Sequence, residues 1–77
     1  MEKYDYSKLR GKIREVYFTE HRFAKALGLS KMSLSTKLNG HIEFSQGEIE
    51  KAVGLLGIDP RQVSEYFLTR AVGRKTF

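Results

Sequence analysis

A chain of 77 residues without cysteine is expected to form a single domain, 1–77, around one modest core, with no disulfide framework or thiolate metal site to brace it. No apolar run approaches the ~20 residues that a bilayer demands, and the opening "MEKYDYSKLR" has no apolar signal region, so a cytosolic protein with no membrane partner is expected. Fourteen Lys and Arg against nine Asp and Glu leave a formal charge of +5, which suits a polyanion such as nucleic acid and also an ordinary soluble domain with uneven charge.

In chain order, Leu9, Ile13, Val16 and Tyr17 recur at helical spacing and predict a helix near 6–17. The following helices announce their starts. A hydrophobic staple sets an apolar residue before the N-cap against one at the fourth helical position. Phe18-Thr19 with Phe23 predicts a helix over 20–27, and Leu29-Ser30 with Leu34 one over 31–39. Phe44-Ser45 with Ile49 predicts 46–56, and Ile58-Asp59 with Val63 predicts 60–69. Glu48 and Gln62, at the third helical positions, are expected to complete capping boxes, and Pro60 suits a first helical position. Gly28, Gly40 and Gly57 stand where a left-handed residue ends a helix. The tail, "RAVGRKTF" over 70–77, is basic and has no clear period; it is expected to fray or to pair with a partner.

With strand signals nearly absent, the fold class is all-α, a compact five-helix bundle with its core within 6–69. The expected core takes Leu9, Ile13 and Val16 from helix one, and Phe23, Ala24 and Leu27 from helix two. Leu34 and Leu38 come from helix three, Ile49, Ala52, Val53 and Leu56 from helix four, and Val63 and Phe67 from helix five. If Val63 and Phe67 face in, then Tyr66, Leu68 and Val72 are too apolar for free surface, which points to a dimer or partner contact there.

Charge is unevenly spread. Residues 20–42 carry Arg22, Lys25, Lys31 and Lys37 against Glu20, whereas 43–68 carry Glu43, Glu48, Glu50, Asp59 and Glu65 against Lys51 and Arg61. The two helices in the basic part are joined by Gly28-Leu29-Ser30 alone. A glycine-containing turn this short between short helices is a helix–turn–helix, whose second helix enters the DNA major groove. Helix three fits that use, with a thin seam of Leu34 and Leu38 and an otherwise polar face. Lys31, Met32, Ser33, Ser35 and Thr36 are the candidate base contacts. Lys suits guanine O6 and N7, Met and Thr suit thymine methyls, and Ser suits several bases. Thr19, His21 and Arg22 at the start of helix two, with Lys37, Asn39 and His41 at the end of helix three, are the candidate phosphate contacts.

Plainer readings stand beside these. Thr19 and Ser30 are N-caps first, Asn39-Gly40 is a helix end, and Lys25 is a solvated side chain. His21 and His41 lack further ligands at metal spacing, so neither a metal nor a cofactor is expected. No carboxylate pair, nucleophile–base set or glycine-rich phosphate loop suggests an enzyme or a small-molecule substrate.

"TEHRFAKALGLSKMSLSTKLNG…FSQGEIEKAVGLLGID" resembles the lambda-repressor-like (Cro/repressor) helix–turn–helix family, and within it small phage-type regulators of Gram-positive bacteria. The resemblance covers about residues 7–69 and is carried by Phe23-Ala24, Gly28-Leu29-Ser30, Leu34-Ser35, Asn39-Gly40 and Leu56-Gly57-Ile58. It implies a five-helix DNA-binding domain, a homodimer on a double-stranded operator, and a Cro-like phage or prophage repressor of transcription. Its place would be the cytoplasm of a bacterial host, on the nucleoid. The chain departs from the family's pattern at Glu20 and Lys31, where an amide is usual, and at Lys37, where an apolar residue is usual. Glu20 would repel a phosphate beside helix two, and with the acidic fourth and fifth helices it favours a second reading. In that reading an antirepressor, or modulator, uses the same fold to bind a larger phage repressor protein.

Overall fold

The structure, a computed structural model, describes residues 4–69. Among these, helices α1 (Ser7–Tyr17), α2 (Glu20–Leu27), α3 (Lys31–Leu38) and α4 (Gln46–Leu56) are followed by a 3₁₀ turn, Pro60–Gln62, and a short α5 (Val63–Phe67). The described residues form no β-strand, and none of their helices is long and apolar enough to cross a membrane. The fold is all-α, as expected.

Helix starts follow the capping chemistry. Thr19, Ser30 and Ser45 are extended at the N-cap, and their hydroxyls accept from the N–H groups of Arg22, Ser33 and Glu48. Ser45 and Glu48 form a reciprocal capping box: Ser45 N–H donates to Glu48 Oε1 at 2.9 Å and Glu48 N–H donates to Ser45 Oγ at 3.1 Å. The matching box at Gln62 does not form. Asp59 Oδ1 takes the N–H of Arg61 at 2.9 Å, and Gln62 N–H reaches the Asp59 carbonyl at 2.7 Å, a 3₁₀ bond. Gln62 then leaves helical space at φ −106°, ψ 6°, so the fifth helix starts at Val63 and is shorter than the spacing suggests. Helix α3 is bounded by left-handed glycines, Gly28 at φ +88° and Gly40 at φ +84°, a conformation costly for any residue with a Cβ. After Gly40, His41 N–H caps back to the Thr36 carbonyl at 3.1 Å.

The core gathers Leu9 and Ile13 of α1, Phe23, Ala24 and Leu27 of α2, Leu34 and Leu38 of α3, Ala52 and Leu56 of α4, and Tyr66 and Phe67 of α5. Ala24 is almost wholly covered, and its small side chain lets α3 pass close over α2. Tyr6, Phe44 and Ile58, outside the helices, complete the core. Tyr6 meets Phe44 edge-on at 5.3 Å, and Phe44 meets Phe67 edge-on at 5.4 Å, the geometry the aromatic quadrupole favours.

Four expected core residues are less buried than their spacing suggests. Val16 is 39% exposed, because Tyr17 takes the place against α2, its ring 5.4 Å from Phe23. Ile49, Val53 and Val63 are half-buried, because the short α5 does not cover the outer side of α4. Tyr66, expected at a partner surface, is instead buried at 8% exposure; it turns toward α1, where the Lys8 ammonium lies 4.9 Å from its ring centre. Lys8 also pairs with Glu65, and Asp5 N–H donates to the Thr69 carbonyl at 2.7 Å, tying α5 to the start of the chain.

Glu48 couples helix capping to pH. Burial pushes its carboxyl up, but the Ser45 N–H and the Lys37 ammonium, 3.2 Å away, outweigh burial and hold it below its ordinary value of 4.5. A carboxyl lowered in the folded state contributes stability above its unfolded pKa, and that contribution is lost as pH falls through the lower, folded pKa. Glu48→Gln is therefore expected to cost about 1 kcal/mol near neutral pH, and the gap from the native protein should close under acid. Denaturant titrations at several pH values check this; a gap independent of pH would remove the charge from the explanation.

Candidate interaction surfaces

Glu20 opens α2 and is only 20% exposed at its side chain. Arg10, one position past the buried Leu9 on α1, reaches across to it: Nη1–H donates to Glu20 Oε2 at 2.8 Å. The same guanidinium donates through Nη2 to Asn39 Oδ1 at 2.9 Å. One planar cation thus binds the start of α2 to the end of α3, a use suited to the guanidinium fork. It neutralises Glu20 and occupies the Asn39 oxygen.

Lys37 is turned inward as well. Its side chain is 13% exposed, with Nζ 3.2 Å from Glu48 Oε1 and 3.2 Å from the Glu43 carbonyl to which it donates. The outer face of α3 is mostly bonded to itself. Ser30 Oγ–H donates to Ser33 Oγ at 3.1 Å, and Thr36 Oγ1–H to the Met32 carbonyl at 2.9 Å. Asn39 Nδ2 reaches Ser35 Oγ at 3.5 Å, a weak contact. Lys31 and Met32 stand out from this face: Met32 is 78% exposed, and Lys31 makes no ion pair among the described residues.

Beside them, Phe18 is 70% exposed at φ +70°, the one non-glycine residue at positive φ among those described. Thr19 N–H donates to the Tyr17 carbonyl at 2.8 Å across it, closing a tight turn of the rare, strained hand. The expected staple to Phe23 is therefore absent, and Phe18 is stacked instead under the Arg22 guanidinium at 5.8 Å. Arg14, Phe18, Thr19, Glu20, His21 and Lys31 line a shallow hollow here. The structure thus brings Thr19, His21 and Lys31 together, leaves Arg22, Asn39 and His41 exposed, and turns Lys37 toward α4.

A second surface lies between α4 and α5. Buried Phe44 and Phe67 floor an apolar groove, half-buried Ile49, Val53 and Val63 wall it, and Leu68, 52% exposed, lies at its α5 end. Gln46, Glu50 and Pro60 edge it. Leu68, expected at a dimer or partner contact, is exposed, while Val72 and the tail 70–77 lie outside the described residues. Neither Arg10 nor this groove stood out in the sequence. The one available signal for Arg10 was Glu20 itself, a carboxylate in a basic stretch that needed a partner. Among the described residues, no group of three His, Cys, Asp or Glu side chains is placed to hold a metal ion.

The fold is a small all-α domain whose α2 and α3 form a helix–turn–helix pair, with the α2–α3 hollow and the α4–α5 groove as its candidate surfaces. The chain belongs to the family described as a protein of unknown function, DUF739, whose model matches residues 2–70. It is similar to the modulator of repression (MOR) of the temperate bacteriophage TP901-1 from Lactococcus lactis, known from a solution structure. The identity is 45% over 84% of this chain and 88% of that one, with a TM-score of 0.74. No curated protein matches it.

Proposed function

We propose that the protein is a modulator of repression that acts by binding a larger repressor protein in the cytoplasm of a bacterial host. The Arg10–Glu20–Asn39 clamp carries this reading. A domain that docks on DNA through a helix–turn–helix brings the start of its second helix to the phosphates and gains affinity from cations free to neutralise them. Here that corner holds a carboxylate, the Arg10 guanidinium is committed to it, and Lys37 answers Glu48. The similarity to a phage modulator of repression over most of both chains supports the same reading. One observation favours the alternative, a Cro-like regulator that binds operator DNA as a homodimer: Lys31 and Met32 are exposed at the start of α3, where base edges would be read.

The test is a pair of titrations, against random-sequence duplex across salt concentrations and against the larger repressor from the same genome. The protein is expected to bind the repressor and weaken its hold on its operator, while showing no steep salt-dependent duplex binding of its own. Glu20→Gln removes the charge at the α2 terminus and is expected to leave duplex binding negligible even at low salt, where repulsion is least screened. A marked rise in duplex affinity for that variant, strongest at low salt, would return the DNA-binding reading.

A further inference from the structure

We infer that the groove between α4 and α5 seats the apolar ridge of an amphipathic, basic helix on the protein partner. The proposal rests on the modulator reading only for the identity of that partner. Its shape comes from the groove. Ile49 and Val53, four residues apart on α4, form one wall of the trough, Val63 of α5 faces them, and Phe67, four residues further on α5, lies in the floor between. A trough between two helical ridges takes the ridge of a third helix, the packing that helix-in-groove recognition uses. The walls are half-buried and Leu68 is 52% exposed, so the groove presents one contiguous apolar surface rather than scattered side chains.

Charge selects the occupant. Three acids of this part of the chain are already answered within the fold: Glu48 by Lys37, Asp59 by Arg61 and Glu65 by Lys8. Glu50 edges the groove, and Glu43 adjoins the floor residue Phe44; neither carboxylate has an ion pair among the described residues. An apolar ridge flanked by lysine or arginine therefore matches the groove and its rim, whereas an acidic helix would meet uncompensated like charge.

Two probes read this directly. One is an 18-residue synthetic helix with a leucine ridge flanked by lysines; the other is its glutamate-flanked twin. Titrated into the full chain, the lysine peptide is expected to bind and to shift the methyl resonances of Ile49, Val53, Val63 and Leu68, and the glutamate twin is expected not to bind. Equal binding of both, shifts centred on Phe18 and Met32, or no binding of either would overturn the inference. Self-association abolished by Leu68→Glu would also overturn it, making a second copy the occupant. With the larger repressor as ligand, the exposed-site variants Glu50→Lys and Leu68→Lys are each expected to raise Kd about tenfold or more. Should the wild type bind the repressor and both variants bind it equally well, the groove proposal fails alone. Should the wild type ignore the repressor while the lysine peptide still binds, the modulator reading fails and the groove stands.

Discussion

Phe67→Ala is expected to cost about 3–5 kcal/mol, the range for truncating a buried aromatic ring. Phe67 is 2% exposed and ends α5, a helix of only five residues that cannot persist without tertiary contacts. Its ring closes the series Tyr6–Phe44–Phe67, so its loss leaves Phe44 without the edge-on partner at 5.4 Å and opens the groove floor from below. A small domain has roughly 5–15 kcal/mol of stability in all, so the variant should sit near the edge of folding at room temperature. Phe67→Leu keeps most of the volume and should cost under about 1.5 kcal/mol. Urea denaturation of the two variants checks this; a cost below ~1 kcal/mol for alanine would mean that α5 is not docked through Phe67.

The helix boundaries were legible because their signals are local. Thr19, Ser30, Ser45 and Asp59 accept backbone N–H groups as their side chains allow, and Gly28, Gly40 and Gly57 adopt the positive φ that a helix end requires. What escaped depends on contacts between segments distant in sequence. Periodicity marks Ile49, Val53 and Val63 as apolar without saying whether another element covers them, and a 3₁₀ start leaves α5 too short to do so. Tyr6 and Phe44 lie outside any helical repeat, yet they join the core through each other. Tyr66 and Phe67 are adjacent, and both are buried because the short helix is packed on more than one side. At the candidate surface, residue types alone made Lys37 and Asn39 look free to meet phosphate. Only the fold shows that Glu48 and Arg10 engage them. Phe18 satisfied the staple pattern, but the chain turns back there through positive φ and carries the ring outward.

Leu34→Ala is expected to cost about 2–5 kcal/mol, and the loss should be felt first in α3. Leu34 is 0% exposed, and with Leu38 it forms the buried seam of a helix whose remaining residues are polar or outward-facing. Eight residues rich in Ser, Thr and Lys have little helical stability of their own, so packing of this seam holds the helix against α2. The Arg10–Asn39 bond and the Ser30 cap remain in the variant, but they are exposed contacts and offset only a fraction of the lost burial. Native-state hydrogen exchange at the amides of residues 34–38 should therefore accelerate more than at α4, whose buried Ala52 and Leu56 are untouched. Chemical denaturation gives the total. A total below ~1 kcal/mol would place Leu34 outside the core and shift the register of α3, with Lys31 and Met32 no longer on its outer face.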